Sequence, residues 1–359
     1  MERKIRVAQY GCGRMGKFTT RYAVDGGAEI VAAFDINSAI IGKDVGDYFG
    51  IGNIGVKISN VSEADRILSE LKPDICIITT TSFMKEIKDI MLICAKNGVN
   101  AISSSEESLY PWNSSPLITK EIDESAKKNN CTITGTGANE PQYGGISSLC
   151  GGITHKVNKI IARSYYNVDD YGIALANAHG VGLAPEDFET EIAKINNITK
   201  VESEVQIEKG EFTPSYVWNI NGWICDYLGL KVKDQTQTCR PVFLEKDIYS
   251  QTMENIVPRG NAIGMAAIAS TITEEGINIQ SESIGIVYGQ GEEDKVEIII
   301  NGETNTECHF QNPDTVGMTC ATIVNRIPDV INATAGFVTT SKMPPLNYRV
   351  KPLNKYIVD

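Results

Sequence analysis

The chain lacks most features that mark metal-binding, membrane-spanning and secreted proteins. Its 359 residues include three histidines, which show no metal-ligand spacing, so we expect no bound metal. No apolar run approaches the roughly eighteen residues that a transmembrane helix needs. The N-terminal residues show no charged segment followed by an apolar segment and a cleavage site, so we expect no secretory signal.

The chain also lacks paired cysteines and an excess of positive charge. None of the nine cysteines forms a CxxC pair, which is typical of reduced thiols in a cytoplasmic protein. Lysine and arginine number 33 against 45 aspartates and glutamates, which gives a formal net charge of -12. Because negative surfaces repel phosphate backbones and anionic lipids, we expect no nucleic-acid partner and no membrane partner.

A glycine-rich loop near the N-terminus is the strongest motif that is present. The sequence YGCGRMG follows an apolar run that predicts a strand, and it precedes a helical pattern. Gly11 permits a tight turn, Gly13 the close approach of a pyrophosphate, and Gly16 the packing of the helix. The helix N-terminus offers free N–H groups to the phosphates. The alternative is a chance glycine-rich turn. We expect a dinucleotide to bind to Gly11, Cys12, Gly13, Arg14, Met15 and Gly16.

An acidic residue at the end of the next predicted strand indicates which dinucleotide binds. Asp35 lies 19 residues beyond Gly16. A carboxylate there accepts hydrogen bonds from both ribose hydroxyls of NAD and repels the 2′-phosphate of NADP. No arginine follows it directly. The sequence therefore predicts NAD, with NADP as the alternative cofactor.

The first 135 residues alternate between strand and helix patterns. Glu29–Asp35 and Ile75–Thr80 are nearly continuous apolar runs, typical of strands covered on both faces. Six such strands predict an α/β fold with a Rossmann-type, doubly wound parallel sheet in the order 3-2-1-4-5-6. Ser62 and Asp65 predict a capping box at the start of one connecting helix.

The pattern changes at about Thr136 to longer β-rich stretches, which predict a second, α+β domain of mainly antiparallel strands. A later amphipathic helix pattern is expected to end at Pro328 and to return to the first domain. A helix internal to the second domain is the alternative. We therefore expect a dinucleotide-binding domain at residues 1–135 plus 313–359. Residues 136–312 are expected to bind substrate and to mediate dimerisation.

Polar side chains follow the predicted parallel strands, at the edge where ligands bind in open α/β sheets. Thr79, Thr80 and Thr81 end the fourth strand and are expected to line the nicotinamide ribose. The alternative is that the segment only starts the next helix, with Ser82 as its N-cap. Glu106 and Glu107 follow the fifth strand and are the best acid/base candidates. Burial beside a nicotinamide ring would raise the pKa of the inward-facing one. The alternative is a pair of solvated loop acids.

Further candidates follow the sixth strand and lie in the second domain. Gly137 permits close backbone approach to a ring, and the alternative role is an inter-domain hinge. Arg163 and Asn167 are four residues apart on one predicted strand, so they share a face. An arginine fork suits a substrate carboxylate, although an ion pair is the alternative. Tyr171 and His179 lie in the same polar stretch and are also substrate-binding candidates.

Several segments match a known pattern. They are YGCGRMG, AEIVAAFD, VNAISSSEE, NCTITGTG, YNVDDYGIALANAHG and VNRIPDVINATAGFVTTSKMPP. They resemble the native amine dehydrogenases, a family that includes 2,4-diaminopentanoate dehydrogenase of ornithine degradation and has a dihydrodipicolinate-reductase-like N-terminal domain. The resemblance covers nearly the whole chain. It implies NAD(P)-dependent oxidative deamination of a small-molecule amine, the C4 amine of 2,4-diaminopentanoate, to 2-amino-4-oxopentanoate and ammonia.

The resemblance also implies roles for individual residues. The catalytic glutamate of the family corresponds to a residue within the Glu106–Glu107 pair, and Glu106 is favoured because it is nearer the strand end. Arg163, Asn167 and His179 resemble pocket positions of the group. A homodimer is expected by analogy with the fold.

The chain departs from the family in one segment. Where the family has an aromatic-rich stretch after the sixth strand, this chain has ANEPQYGG, residues 138–145. We expect Asn139 and Glu140 to border the substrate, with Glu140 facing an ammonium group. Two alternative functions remain at this point: an NAD(P)-dependent reductase or alcohol dehydrogenase of related architecture, and an NAD-binding regulator without turnover.

Overall fold

The computed structural model describes residues 3–358, which form two compact units. The first unit comprises the chain up to Pro141 and again from Asp314 on, and the second comprises Gln142–Pro313. None of the helices in residues 3–358 combines the length and the apolar composition that a membrane span requires. The roles predicted for the two regions of the chain stay predictions.

The first unit contains a parallel sheet, as its apolar runs predict. Its first six strands, in chain order, are β1 (Arg6–Tyr10), β2 (Glu29–Asp35), β3 (Ile58–Asn60), β4 (Ile75–Ile78), β5 (Asn100–Ser103) and β6 (Thr132–Gly135). They lie in the order β3-β2-β1-β4-β5-β6, which confirms the predicted Rossmann-type order. Every residue of β4 is buried, because helices cover both faces of the sheet.

Five helices connect these strands. They are α1 (Arg14–Asp25), α2 (Val45–Phe49), α3 (Ala64–Leu71), α4 (Met84–Lys96) and α5 (Pro116–Lys128). The predicted capping box of Ser62 and Asp65 is wrong. The Asn60 side chain instead accepts a hydrogen bond from the Ser62 N–H at 3.0 Å, and it starts a short 3-10 turn ahead of α3. Asparagine competes well for this position because its side chain readily bonds the backbone two residues on.

The second unit is built on a six-stranded mixed sheet. Its helices are α6 (Ile146–Gly152), α7 (Ile173–Ala178), α8 (Pro185–Phe188), α9 (Lys194–Asn196), α10 (Lys200–Lys209) and α11 (Tyr216–Leu228). Its strands are β7 (Lys159–Asn167), β8 (Val232–Phe243), β9 (Ile248–Ser250), β10 (Asn255–Val257), β11 (Ala262–Thr273), β12 (Asn278–Ile286), β13 (Lys295–Asn301) and β14 (Thr306–Gln311).

The order of the large sheet is β14-β13-β7-β12-β11-β8. Only β7 and β12 run parallel among its neighbouring pairs, so the expectation of mainly antiparallel pairing is confirmed. Strands β9 and β10 form a separate two-stranded hairpin. Helix α11 packs against β11 and β12 and buries both of its tryptophans.

The chain finally returns to the first unit with α12 (Thr315–Asn332) and β15 (Gly336–Phe337). The prediction that Pro328 ends the helix is wrong, since α12 continues through it to Asn332. Proline costs the helix one backbone hydrogen bond. The residues around Pro328 are all buried, and the helix packs against α1 and β5, so burial offsets that cost. Strand β15 pairs with β6 as a seventh parallel strand that the sequence did not indicate.

Candidate active site

The glycine loop between β1 and α1 has the geometry that its spacing predicts. Gly11 has a φ of +93°, and a Cβ atom there would lie 2.5 Å from the carbonyl oxygen of Thr79. At Gly16 a Cβ atom would collide with the carbonyl oxygen of Gly11. The fold therefore requires glycine at both positions. At Gly13 a Cβ atom would meet nothing within 4 Å, so this side of the loop is open to a ligand.

The start of α1 is suited to an anion. Gly13 is its N-cap residue, no side chain caps the helix, and its first turn contains no acidic residue. The free N–H groups and the positive end of the helix dipole therefore fit a pyrophosphate. Cys12 is buried, and burial together with the charge of Asp35 raises the pKa of its thiol to about 12. Cys12 is thus a neutral thiol that contributes its backbone to the loop. Arg14 is exposed.

Asp35 is held against the glycine loop by the backbone. One carboxylate oxygen accepts a hydrogen bond from the Cys12 N–H at 2.7 Å, and the other accepts from the Asn37 N–H at 2.8 Å. Both bonds fix the orientation of the carboxylate. Each oxygen retains a second lone pair, so the side chain can also accept hydrogen bonds from the hydroxyl groups of a ribose.

A cavity of about 290 Å³ lies at the carboxyl ends of the parallel strands, wholly within the first unit. Seven sequence-predicted residues line it: Met15, Thr79, Thr80, Thr81, Glu106, Gly137 and Asn139. Sequence reasoning missed the contribution of α12, whose first turns add Thr315, Val316 and Thr319 to the lining. The amphipathic pattern of that helix is visible in the sequence, but the pattern does not show which of its residues reach the cavity.

The two adjacent glutamates have different surroundings. Glu106 is exposed and lines the cavity. Glu107 is 3% exposed, and its carboxylate accepts hydrogen bonds from the Met84 N–H at 2.7 Å and from the hydroxyls of Ser114 and Ser115 at 2.7 and 2.5 Å. Glu107 therefore joins the start of α4 to the segment that leads into α5, while Glu106 faces the cavity.

Glu140 does not line this cavity. Its buried carboxylate forms an ion pair with Arg326 of α12 and accepts a hydrogen bond from the Thr136 hydroxyl. Burial alone would lower the pKa of Arg326, but the negative charges of Glu140 and Asp329 outweigh it and raise that pKa. This pairing corrects the expectation that Glu140 faces a substrate ammonium group. The sequence offers one signal, an arginine followed three residues later by an aspartate among the apolar residues of a helix.

Arg163, the expected anchor for a substrate carboxylate, is paired within the second unit. Its guanidinium donates two hydrogen bonds to Glu282, at 2.9 and 3.2 Å, and lies 3.8 Å from the carboxylate of Glu297. Burial alone would raise the pKa of Glu282, but the bonds and charge of Arg163 outweigh it and hold that pKa below its usual range. The ion pair that was the alternative role of Arg163 is the role that the geometry favours.

The other candidates of the second unit do not form one cluster of exposed polar groups. Asn167 accepts a hydrogen bond from the Asp169 N–H and starts the short turn after β7. Tyr171 lies edge-on to Tyr166, with 5.5 Å between ring centroids. His179 is buried; its Nε2 lies 2.6 Å from the Tyr166 hydroxyl and its Nδ1 2.9 Å from a backbone carbonyl one turn earlier. Burial lowers the pKa of His179.

Across residues 3–358, no group of three or more histidine, cysteine, aspartate and glutamate side chains is suited to hold a metal ion. All nine cysteines are free, and eight of them are buried.

Comparison with known proteins identifies the family. Residues 146–355 match the family described as "2,4-diaminopentanoate dehydrogenase C-terminal domain", and residues 5–105 match "Dihydrodipicolinate reductase, N-terminus". The chain is 25% identical to 2,4-diaminopentanoate dehydrogenase of Acetoanaerobium sticklandii, over 95% of this chain and 94% of that protein.

A second relative matches about a third of the chain. It is 4-hydroxy-tetrahydrodipicolinate reductase of Methanocaldococcus jannaschii, 34% identical over 35% of this chain and 44% of that protein. A solved amine dehydrogenase from Mycobacterium smegmatis superimposes with a TM-score of 0.80 and 34% identity, covering 98% of this chain and 99% of that one. The family model matches more than half of the chain, and the resemblance seen in the sequence is confirmed. The chain belongs to the 2,4-diaminopentanoate dehydrogenase family and is a dehydrogenase, an oxidoreductase.

Proposed function

We propose that the protein is an NAD(P)-dependent amine dehydrogenase that oxidatively deaminates the C4 amine of 2,4-diaminopentanoate. The products are 2-amino-4-oxopentanoate and ammonia. The observation that carries the proposal is the position of Glu106, an exposed carboxylate that lines the same cavity as Met15 of the glycine loop. A proton acceptor beside a dinucleotide loop is what oxidation of an amine requires. The names of the relatives support the substrate class.

The residues of the glycine loop fit a nicotinamide dinucleotide. When bound, that cofactor supplies the acceptor for the hydride that leaves the amine carbon. The open side of Gly13 and the uncapped start of α1 would hold its pyrophosphate. Asp35 would accept the ribose hydroxyls, and its negative charge would repel a 2′-phosphate. We therefore propose NAD as the preferred cofactor.

Glu106 is the proposed catalytic residue, in two successive roles. As a base it takes a proton from the substrate ammonium, so that the neutral amine can lose hydride and become an iminium. Glu106 then releases that proton to solvent, and the regained carboxylate takes a proton from water while the water oxygen bonds to the iminium carbon. It returns this proton to the nitrogen, the C–N bond breaks as the hydroxyl proton passes to solvent, and ammonia and the ketone are formed. Asn139, which lines the same cavity, is the proposed polar contact to the substrate.

The test is a spectrophotometric screen with each cofactor in turn. 2,4-Diaminopentanoate, meso-diaminopimelate, simple amines and hydroxy acids are supplied, and cofactor reduction is followed together with ammonia release. We expect reduction of NAD and equal release of ammonia with 2,4-diaminopentanoate. Reduction with hydroxy acids alone would make the protein an alcohol dehydrogenase. Tight NAD binding without turnover of any compound would make it a regulator.

A further inference from the structure

A buried arginine lies directly behind the segment of Thr136, Gly137, Ala138 and Asn139, here called the 136–139 segment. Arg326 and Glu140 are each 2% exposed, although 186 residues separate them along the chain. The Nε of Arg326 donates to Glu140 Oε1 at 3.0 Å, and a second N–H donates to the same oxygen. The remaining edge of the guanidinium donates to Asp329 at 3.0 Å and to the Pro344 carbonyl at 2.6 Å. Arg326 therefore joins three separate parts of the first unit.

Glu140 transmits this contact to the cavity. Its second oxygen accepts a hydrogen bond from the Thr136 hydroxyl. This bond closes the turn that runs from Thr136 to Glu140. All four residues of the 136–139 segment line the cavity. A second contact from α12 holds the middle of the segment, because the Ala138 N–H donates to the Thr319 hydroxyl at 3.0 Å. Helix α12 thus fixes the segment at two points, of which the Arg326 contact is wholly buried.

The charges of this group are balanced. Two cations, Arg326 and Arg349, face two anions, Glu140 and Asp329, and Arg349 binds the second oxygen of Asp329 at 2.6 Å. Loss of Arg326 alone would leave Glu140 as a buried charge with one neutral hydroxyl partner. Replacement of both members of a buried ion pair by apolar side chains is often neutral for stability, whereas removal of one is not. Stability and positioning can therefore be separated by mutation.

We propose that Arg326 is a positioning residue that, through Glu140, fixes the backbone of the 136–139 segment and hence the shape of the cavity for cofactor and amine. The inference rests on the proposed function for the ligands that the cavity takes. None of the hydrogen bonds described above joins the Arg326 guanidinium to Gly137, Ala138 or Asn139. The effect of Arg326 on the segment therefore passes through Glu140.

The test compares three variants of the full chain. Arg326→Met breaks the pair, Arg326→Met with Glu140→Met removes both charges, and Asp329→Asn alters the other side of the guanidinium without touching Glu140. The readouts are the thermal midpoint, hydrogen exchange of the peptide containing residues 136–140, the Kd of NADH, and kcat and KM for the amine. Arg326→Lys is added because it keeps the charge but loses the fork.

We expect the double variant to recover the thermal midpoint lost in Arg326→Met, yet to keep fast exchange in residues 136–140. Its Kd and KM are expected to rise by about 10- to 100-fold, the effect of a small displacement of binding groups. Arg326→Lys is expected to lie between the wild type and Arg326→Met in exchange and in KM. Asp329→Asn is expected to lower the thermal midpoint and to leave exchange, Kd and KM unchanged.

A double variant with wild-type exchange, Kd and KM would overturn the positioning role. An Arg326→Lys variant that matches Arg326→Met in every readout would leave the guanidinium fork without a specific part, and would also contradict the proposal. If the wild type oxidises no amine but exchange and NADH affinity still respond to Arg326→Met, the proposed function fails and the positioning role stands. If the wild type oxidises the amine and neither readout responds, the positioning role alone fails.

Discussion

The two units of the molecule place their polar side chains in different surroundings. In the first unit, Glu106 and Thr80 follow strands at their carboxyl ends and line a cavity. In the second unit, Arg163 lies in the middle of β7, opposite Glu282 in the register of the sheet, and is paired with it. Side chains beyond the ends of parallel strands have no cross-strand neighbour and are available to a ligand. Side chains inside a mixed sheet meet neighbours on both sides, and these neighbours satisfy them.

The largest expected effect tests the cavity side of this comparison. Glu106→Gln keeps the size of the side chain but removes its ability to take a proton. We expect kcat to fall by about 10²- to 10⁴-fold, the usual contribution of a positioned acid or base. The Kd of NADH and the thermal midpoint are expected to stay at the wild-type values. Steady-state kinetics, a fluorescence titration and a thermal melt measure these quantities.

Glu107→Gln is the matched control one residue further on. Should Glu107→Gln abolish turnover in a stable protein while Glu106→Gln stays active, the assignment of the two glutamates would be reversed.

The second expected effect is on stability and concerns Glu107 itself. An amide at this position accepts fewer hydrogen bonds than the carboxylate, which receives three in the structure. Loss of bonds to a charged group costs about 1.5–3 kcal/mol, so we expect Glu107→Gln to lower the free energy of unfolding by that amount. Urea denaturation measures it. A variant as stable as the wild type would mean that the carboxylate does not hold α4.

The third expected effect tests the paired side of the comparison. Arg163→Met leaves the carboxylate of Glu282, which is 1% exposed, without its two-bond partner. We expect a loss of about 1–3 kcal/mol of stability, with KM for the amine substrate unchanged. The control is Arg240→Met, since Arg240 lies 3.5 Å from the same carboxylate but is 61% exposed and is expected to contribute less. A large rise in KM with full stability would restore Arg163 as an anchor for the substrate carboxylate.

The same contrast explains which parts of the site the sequence predicts. The sequence predicts the positions of Gly11, Gly16 and Asp35 because each lies at a characteristic distance from the end of a strand. Apolar runs show where those strands end. The position of Glu106 is predictable in the same way, because it lies just beyond the end of β5. Contacts between distant parts of the chain leave no such local pattern. The pairing of Glu140 with a helix 186 residues away is one of them, and the cavity lining from α12 is another.

Local rules also fail where burial opposes them. Pro328 is a valid signal for the end of a helix, yet α12 continues because the flanking residues are buried in the core. The two residues of β15 are too few to produce a periodic pattern, and the strand forms because β6 offers an unpaired edge. Fold class therefore follows from repeated patterns, whereas the exact lining of a site depends on single tertiary contacts.

The smallest expected effect is a dependence of stability on pH in the second unit. Burial lowers the pKa of His179, so the folded protein binds a proton less readily than the unfolded chain, where the imidazole has a pKa of about 6.5. The stabilising contribution of the neutral ring is complete above the unfolded pKa and is lost as the pH falls through the folded pKa.

His179→Gln keeps a hydrogen-bonding side chain beside Tyr166 but does not titrate. At pH 8 we expect it to cost about 1 kcal/mol, the value of one neutral hydrogen bond. As the pH falls below about 6.5, the stability difference between wild type and variant should shrink. Urea denaturation at a series of pH values measures it, and a difference that stays constant down to pH 5 would show that His179 is not held neutral by the fold.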